Sequence, residues 1–136
     1  MGELTRLDGW ERLLAEAVEQ ARSTPFQWGV NDCACWAFDL RARITGGEDV
    51  AAQWRGRYRT AEGSLRVLRR LGWVDIEAMG RSLLGEPLLS VLMAQRGDIV
   101  LMEQGFGICI GARAVGMCEA GLAWAPLSAC RLGWRV

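Results

Sequence analysis

The chain has 136 residues, 51% of them apolar, and its 16 acidic residues balance 16 basic ones, so the formal charge is zero. That size builds one compact core but not two, and the absent net charge removes the long-range field that draws nucleic acid or an anionic membrane. Histidine is missing altogether, which excludes imidazole general-base catalysis and any zinc site of mixed Cys and His ligands.

Glu3, Arg6 and Asp8 interrupt the N-terminus where a signal peptide would have its apolar stretch, and no apolar run reaches membrane-spanning length. Synthesis in a cytoplasm is expected. Asp8 is expected to cap a first helix with Glu11 three positions on. Trp10, Leu13, Leu14, Ala17, Val18 and Ala21 then recur at helical spacing until Ser23-Thr24-Pro25 ends the element. A second helix begins at Asp32 and buries Cys33, Trp36, Ala37, Leu40 and Ile44 before Gly46-Gly47 stops it. A third spans about 60 to 71, with Thr60 as cap, Leu65, Leu68 and Leu71 as apolar stripe, and Gly72 at its end.

After a short helical stretch near 75 to 84 and the breaker Gly85-Glu86-Pro87, the pattern changes to short apolar runs separated by Gly. Ile99 to Met102, Phe106 to Ile110, Ala114 to Cys118, Leu122 to Ala125 and Cys130 to Trp134 are the expected strands. Their short connections imply an antiparallel meander with the helices packed on one face. The expected architecture is α+β, helices first, in a single domain covering 1–136.

Five cysteines, at 33, 35, 109, 118 and 130, form no Cys-x-x-Cys pair, and their odd number argues against a complete disulfide framework. Reduced thiols are the default, and neither a metal nor another cofactor is expected. Cys33 stands apart. An Asp32 cap puts it in the first turn of a helix, where unpaired N–H groups and the helix dipole favour a thiolate.

The run Phe26-Gln27-Trp28-Gly29-Val30-Asn31-Asp32-Cys33 resembles the nucleophile approach of the NlpC-type family of cell-wall endopeptidases, papain-like enzymes in which Asp-Cys opens a helix. Arg96-Gly97-Asp98-Ile99-Val100-Leu101 is similar to that family's Gly-Asp strand, and Phe106-Gly107-Ile108-Cys109-Ile110-Gly111 to the strand that follows it. The resemblance implies a papain-like, NlpC-like fold. It also implies that the catalytic histidine would fall at Gly105 and the third, orienting polar residue near Met117. Both partners of the thiol are replaced, and Ala34-Cys35 stands where the family has Ser-Gly. Cys33 is therefore expected as a retained, half-buried structural thiol at a vestigial nucleophile position, with Asp32 as its helix cap.

A second resemblance covers residues 25 to 136. Phe26 to Cys33, Arg55-Gly56-Arg57-Tyr58-Arg59-Thr60, Leu71-Gly72-Trp73 and Gly97 to Val100 are similar to a family of small proteins encoded in the tail modules of long-tailed phages, gene-transfer-agent-like particles and prophages. It implies a pseudoenzyme that serves as a structural or assembly component of the tail tip or baseplate. Such a protein is made in the host cytoplasm and contacts tail hub or distal-tail proteins, with no nucleic acid bound and no membrane insertion. The alternative is a cell-wall peptidase or amidase that uses Cys33 with Asp98, Glu103 or another carboxylate as base, although a carboxylate is an inefficient base for acyl transfer unless burial raises its pKa.

Arg55 to Arg70 holds six Arg against one Glu. Within it Arg57, Tyr58 and Arg59, interrupted by Gly56 and followed by an amphipathic helix, are expected to bind backbone carbonyls, carboxylates such as Asp32 or Asp39, or a partner's acidic surface. Trp28, Trp36 and Trp73 are assigned to the core around the Cys33 helix, and Arg57 and Trp134 are the candidate partner anchors, because Trp and Arg dominate protein interfaces.

Overall fold

Three Asp or Thr side chains start three of the four helices in the computed structural model, which describes residues 5–136. Helix α2 (Cys33–Thr45) is capped by Asp32, α3 (Ala61–Arg70) by Thr60 and α4 (Ile76–Leu84) by Asp75, each accepting from the backbone N–H three residues on. Helix α1 (Trp10–Arg22) differs from expectation. Its cap is Gly9, in the left-handed region at φ 78°, with no side-chain hydrogen bond, so Asp8 lies outside the helix. The carbonyl of Gly9 accepts from Arg12 and Leu13, and the N–H of Trp10 is taken by the carbonyl of Leu7. Single 3-10 turns at Val50–Gln53, Val91–Met93 and Leu127–Ala129 complete the helical content.

The α3 stripe is also rotated from its expected position. Val67 and Leu68 are buried and Leu71 half-buried, while Leu65 is exposed. The buried face runs through Gly63, and a Cβ there would stand 3.1 Å from that of Tyr58.

All five strand candidates form strands: β1 (Ile99–Leu101), β2 (Phe106–Cys109), β3 (Arg113–Cys118), β4 (Gly121–Pro126) and β5 (Leu132–Trp134). They make one open antiparallel sheet in the order β4-β3-β2-β1-β5. The meander stops at β4. The chain then crosses by way of Leu127–Ala129 to the opposite edge, where Trp134 pairs with Ile99 and Leu132 with Leu101.

Alternation along the strands serves two cores. Ile99, Leu101, Phe106, Ile108, Val115, Met117 and Trp134 join the helices in the larger one, where Phe38 meets Trp54 and Phe106 edge-on with ring centroids 5.6 and 5.2 Å apart. Val100, Met102, Cys109 and Ala114 face the other way, under Leu88, Val91, Ala94, Leu127 and Cys130. Each face of the sheet is therefore covered. No helix among the described residues is long and apolar enough to cross a membrane.

Asp98, just before β1, ties the ends of the chain together. Its buried carboxylate accepts from Arg6 at 2.8 Å and from the backbone N–H groups of Gln95 and Val136, and it pairs with Arg135 at 3.1 Å.

Candidate functional site

The approach to Cys33 is a closed loop. Gln27 and Asn31 pair across it through mutual backbone hydrogen bonds, and the turn between them places Gly29 at φ 79°. A side chain at position 29 is impossible, since its Cβ would lie 2.2 Å from the carbonyl oxygen of Tyr58. The loop leans on that strand of backbone, and the N–H of Gly56 donates to the carbonyl of Gly29 at 2.8 Å.

Asp32 organises this region. Its buried carboxylate accepts from the N–H of Gly29 and the N–H of Cys35, each at 2.9 Å, and from the hydroxyl of Tyr58. One side chain thus fixes the turn, the start of α2 and the segment before α3. Three donors also commit the carboxylate to holding structure. Burial, first, and the Asp32 charge push the Tyr58 phenol far above its ordinary range, so it remains a donor.

Cys33 follows in the first turn of α2, half-buried. The backbone N–H of Phe106 on β2 and, after it, those of Ala34 and Cys33 at the helix start favour its thiolate, yet burial and the neighbouring Asp32 charge outweigh them and push the thiol up to about 11. Burial thus overrides what the helix position alone would favour. Cys35, behind it, is pushed up to about 12 by burial and the same carboxylate. All five cysteines are free thiols.

Across from Cys33 stands the β1–β2 turn. Gly105 has φ 144°, and a Cβ built on it would lie 2.5 Å from the Cys33 sulfur and 3.2 Å from its Cβ. Residue 105 therefore aims directly at the thiol, with nothing to offer it. Met117, on β3, is buried and lines the same closed space with Cys33 and Gly105. The structure brings together the three positions singled out in the sequence, and chemically they are a neutral thiol, a glycine and a thioether. Neither carboxylate suggested as a substitute base is disposed to serve. Asp98 is saturated by its four partners, and Glu103 is exposed in the turn. Among the described residues no carboxylate hydrogen-bonds the Cys33 thiol, and no three His, Cys, Asp or Glu side chains converge to hold a metal.

Two concavities flank the site. A largely apolar cleft of about 370 Å³ opens beside Cys33 between Trp28, Leu65, Val74 and Ile76. A second, of about 480 Å³, is lined by Arg57, Arg59, Arg66 and Arg70. Tyr58 forms part of the wall of both.

The two candidate anchors part company. Arg57 is exposed on the rim of the arginine-lined pocket. Trp134 is not a surface residue: it is 0% exposed, its indole N–H donates to the carbonyl of Gly85 at 2.9 Å, and its ring lies against Phe106 and over Gly80. Its position near the end of the chain concealed its place in the inner face of β5. Of Arg57, Tyr58 and Arg59, Tyr58 reaches Asp32, while Asp39 is bound by Arg55 of the same block, and neither Arg57 nor Arg59 makes an ion pair among the described residues. Tyr58 is the only tyrosine in the chain, and its hydroxyl, rather than a neighbouring guanidinium, is what the Arg-rich block sends to Asp32.

The family model for a domain of unknown function, DUF6950, matches residues 5–136, and the chain belongs to that family. No curated protein and no solved structure matches it.

Proposed function

We propose that this protein is a structural or assembly component of the tail tip or baseplate of a long-tailed phage or gene-transfer-agent-like particle. In this reading it is built on a papain-like, NlpC-type scaffold that has lost its chemistry. The observation that carries the loss is Gly105, whose side-chain direction runs into the Cys33 sulfur. There the peptidases resembled in sequence carry their histidine, and glycine supplies neither a base for the thiol nor an acid for the leaving amine. The thiol itself, pushed up to about 11, is neutral where cells live.

A scaffold role is supported by surface that a solitary small protein does not need. Leu89, Leu92 and Met93 are 98%, 64% and 50% exposed on the segment that covers the far face of the sheet, and Arg57 lies exposed in the central block. Hub or distal-tail proteins are the proposed partners, with neither nucleic acid nor bilayer as target. The apolar cleft beside Cys33 favours one other reading, a cell-wall peptidase or amidase using that thiol.

Protein identification on purified particles tests the first reading. Stoichiometric presence in tails supports it, and absence from them defeats it. Digestion of peptidoglycan stem peptides tests the second: wild-type protein should release no more product than the Cys33→Ala variant, and Cys33-dependent turnover would transfer the conclusion to the enzyme.

A further inference from the structure

Among the described residues, eight of the sixteen arginines pair with carboxylates. Arg55 holds Asp49 at 2.8 Å, Arg43 holds Glu16 at 3.2 Å and Arg81 holds Glu77 at 3.2 Å. The pocket between the 56–60 segment and α3 gathers four of the other eight. Arg57, Arg59, Arg66 and Arg70 all line it, and among the described residues none of the four makes an ion pair or a side-chain hydrogen bond. Arg66 and Arg70 stand one helical turn apart, the spacing at which like charges repel. Four cations around one concavity, with no internal anion, are an arrangement that an external anion relieves.

We propose that this pocket, which has Tyr58 as a wall in common with the apolar cleft, seats an acidic amphipathic segment of a partner protein. Its carboxylates pair with Arg57, Arg59, Arg66 and Arg70, and an adjoining apolar side chain enters between Trp28 and Leu65. Guanidinium forks match carboxylates two bonds at a time, and every cation in the pocket is an arginine. The apolar cleft next door decides between partner classes. A phosphate backbone would leave Leu65 and Val74, 49% and 74% exposed, uncovered, whereas a peptide with alternating chemistry covers both surfaces. Zero net charge also denies nucleic acid the long-range attraction on which its non-specific binding depends.

The test uses the full chain and fluorescence anisotropy at 150 mM salt. The probes are a fluorescein-labelled ten-residue peptide of glutamates with two central leucines, the same peptide with every glutamate changed to glutamine, and a labelled DNA duplex. The acidic peptide should bind, and the glutamine peptide and the duplex should bind at least roughly tenfold more weakly. Arg66→Glu with Arg70→Glu should weaken the acidic peptide by roughly tenfold or more, with the far-UV circular dichroism unchanged. Should that pair disturb folding, Arg57→Gln with Arg59→Gln provides the same reading from the loop side. Equal binding of the glutamine peptide, tighter binding of the duplex, or indifference to both variant pairs overturns the proposal. So does a dimer of the protein alone that charge reversal dissolves, because the occupant is then a second copy of this chain.

Discussion

Placing a methyl group on Gly105 is the most direct probe of the site. Gly105→Ala puts a Cβ 2.5 Å from the Cys33 sulfur and 3.2 Å from its Cβ, well inside the roughly 3.5–4.0 Å of ordinary contact, and Ile76 at 3.6 Å leaves little room to escape. Overpacking of this kind costs about 1–3 kcal/mol. The positive φ of 144° adds backbone strain for any residue with a Cβ, again about 1–3 kcal/mol, partly offset by the smaller entropy of the unfolded alanine chain at about 0.4–1 kcal/mol. A net loss of about 1–5 kcal/mol is expected from these contributions. Cys33→Ala alone removes a half-buried sulfur and should cost about 1 kcal/mol. The double variant is the informative one, because it eliminates the sulfur clash while keeping the strain. It should be more stable than the sum of the single losses by about 1–2 kcal/mol. Urea unfolding followed by tryptophan fluorescence measures all four corners of the cycle. Strict additivity would refute the claim that residue 105 faces the thiol, and with it the argument that the absent base is what silences Cys33.

The remaining predictions concern pH and the core. Cys33 and Cys35 titrate in the folded protein at about 11 and about 12, above the ordinary 9.0, so their contribution to stability is complete below pH 9 and is lost as pH rises through those values. Denaturation midpoints should hold steady from pH 7 to 9 and fall beyond it, less steeply in Cys33→Ala; an unchanged slope in that variant would contradict the assignment. In parallel, iodoacetamide at neutral pH should label Cys33 slowly in the native state and quickly in urea, and rapid native labelling would mean an activated thiolate. Trp134→Ala should destabilise by about 3–5 kcal/mol, as befits a fully buried indole, whereas Arg57→Ala should stay within about 0.5 kcal/mol of wild type. Urea titrations of the two would reverse that order only if Trp134 were a surface anchor after all.

Features settled by neighbours along the chain were legible in the sequence. Asp32 and Thr60 announce helix starts because a cap needs only its own side chain and the N–H three residues on, and Gly46 and Gly72 mark ends because a left-handed residue is a property of one position. The five strands were visible as short apolar runs, and the α+β order followed from where the periodicity changes. Partners chosen across long separations were not legible. β5 leaves the meander to pair with β1, and Trp134 is thereby turned inward over Gly80, whose absent side chain lets the indole approach. Leu65 fits the same helical stripe as Leu68 on paper, and only the docking of Gly63 on Tyr58 rotates it out to the cleft. The Cys33 thiol shows the same division. Its helix position, read locally, promised a thiolate, but a pKa depends on everything packed around the group, and the burial and nearby Asp32 charge that decide it exist only in the folded chain.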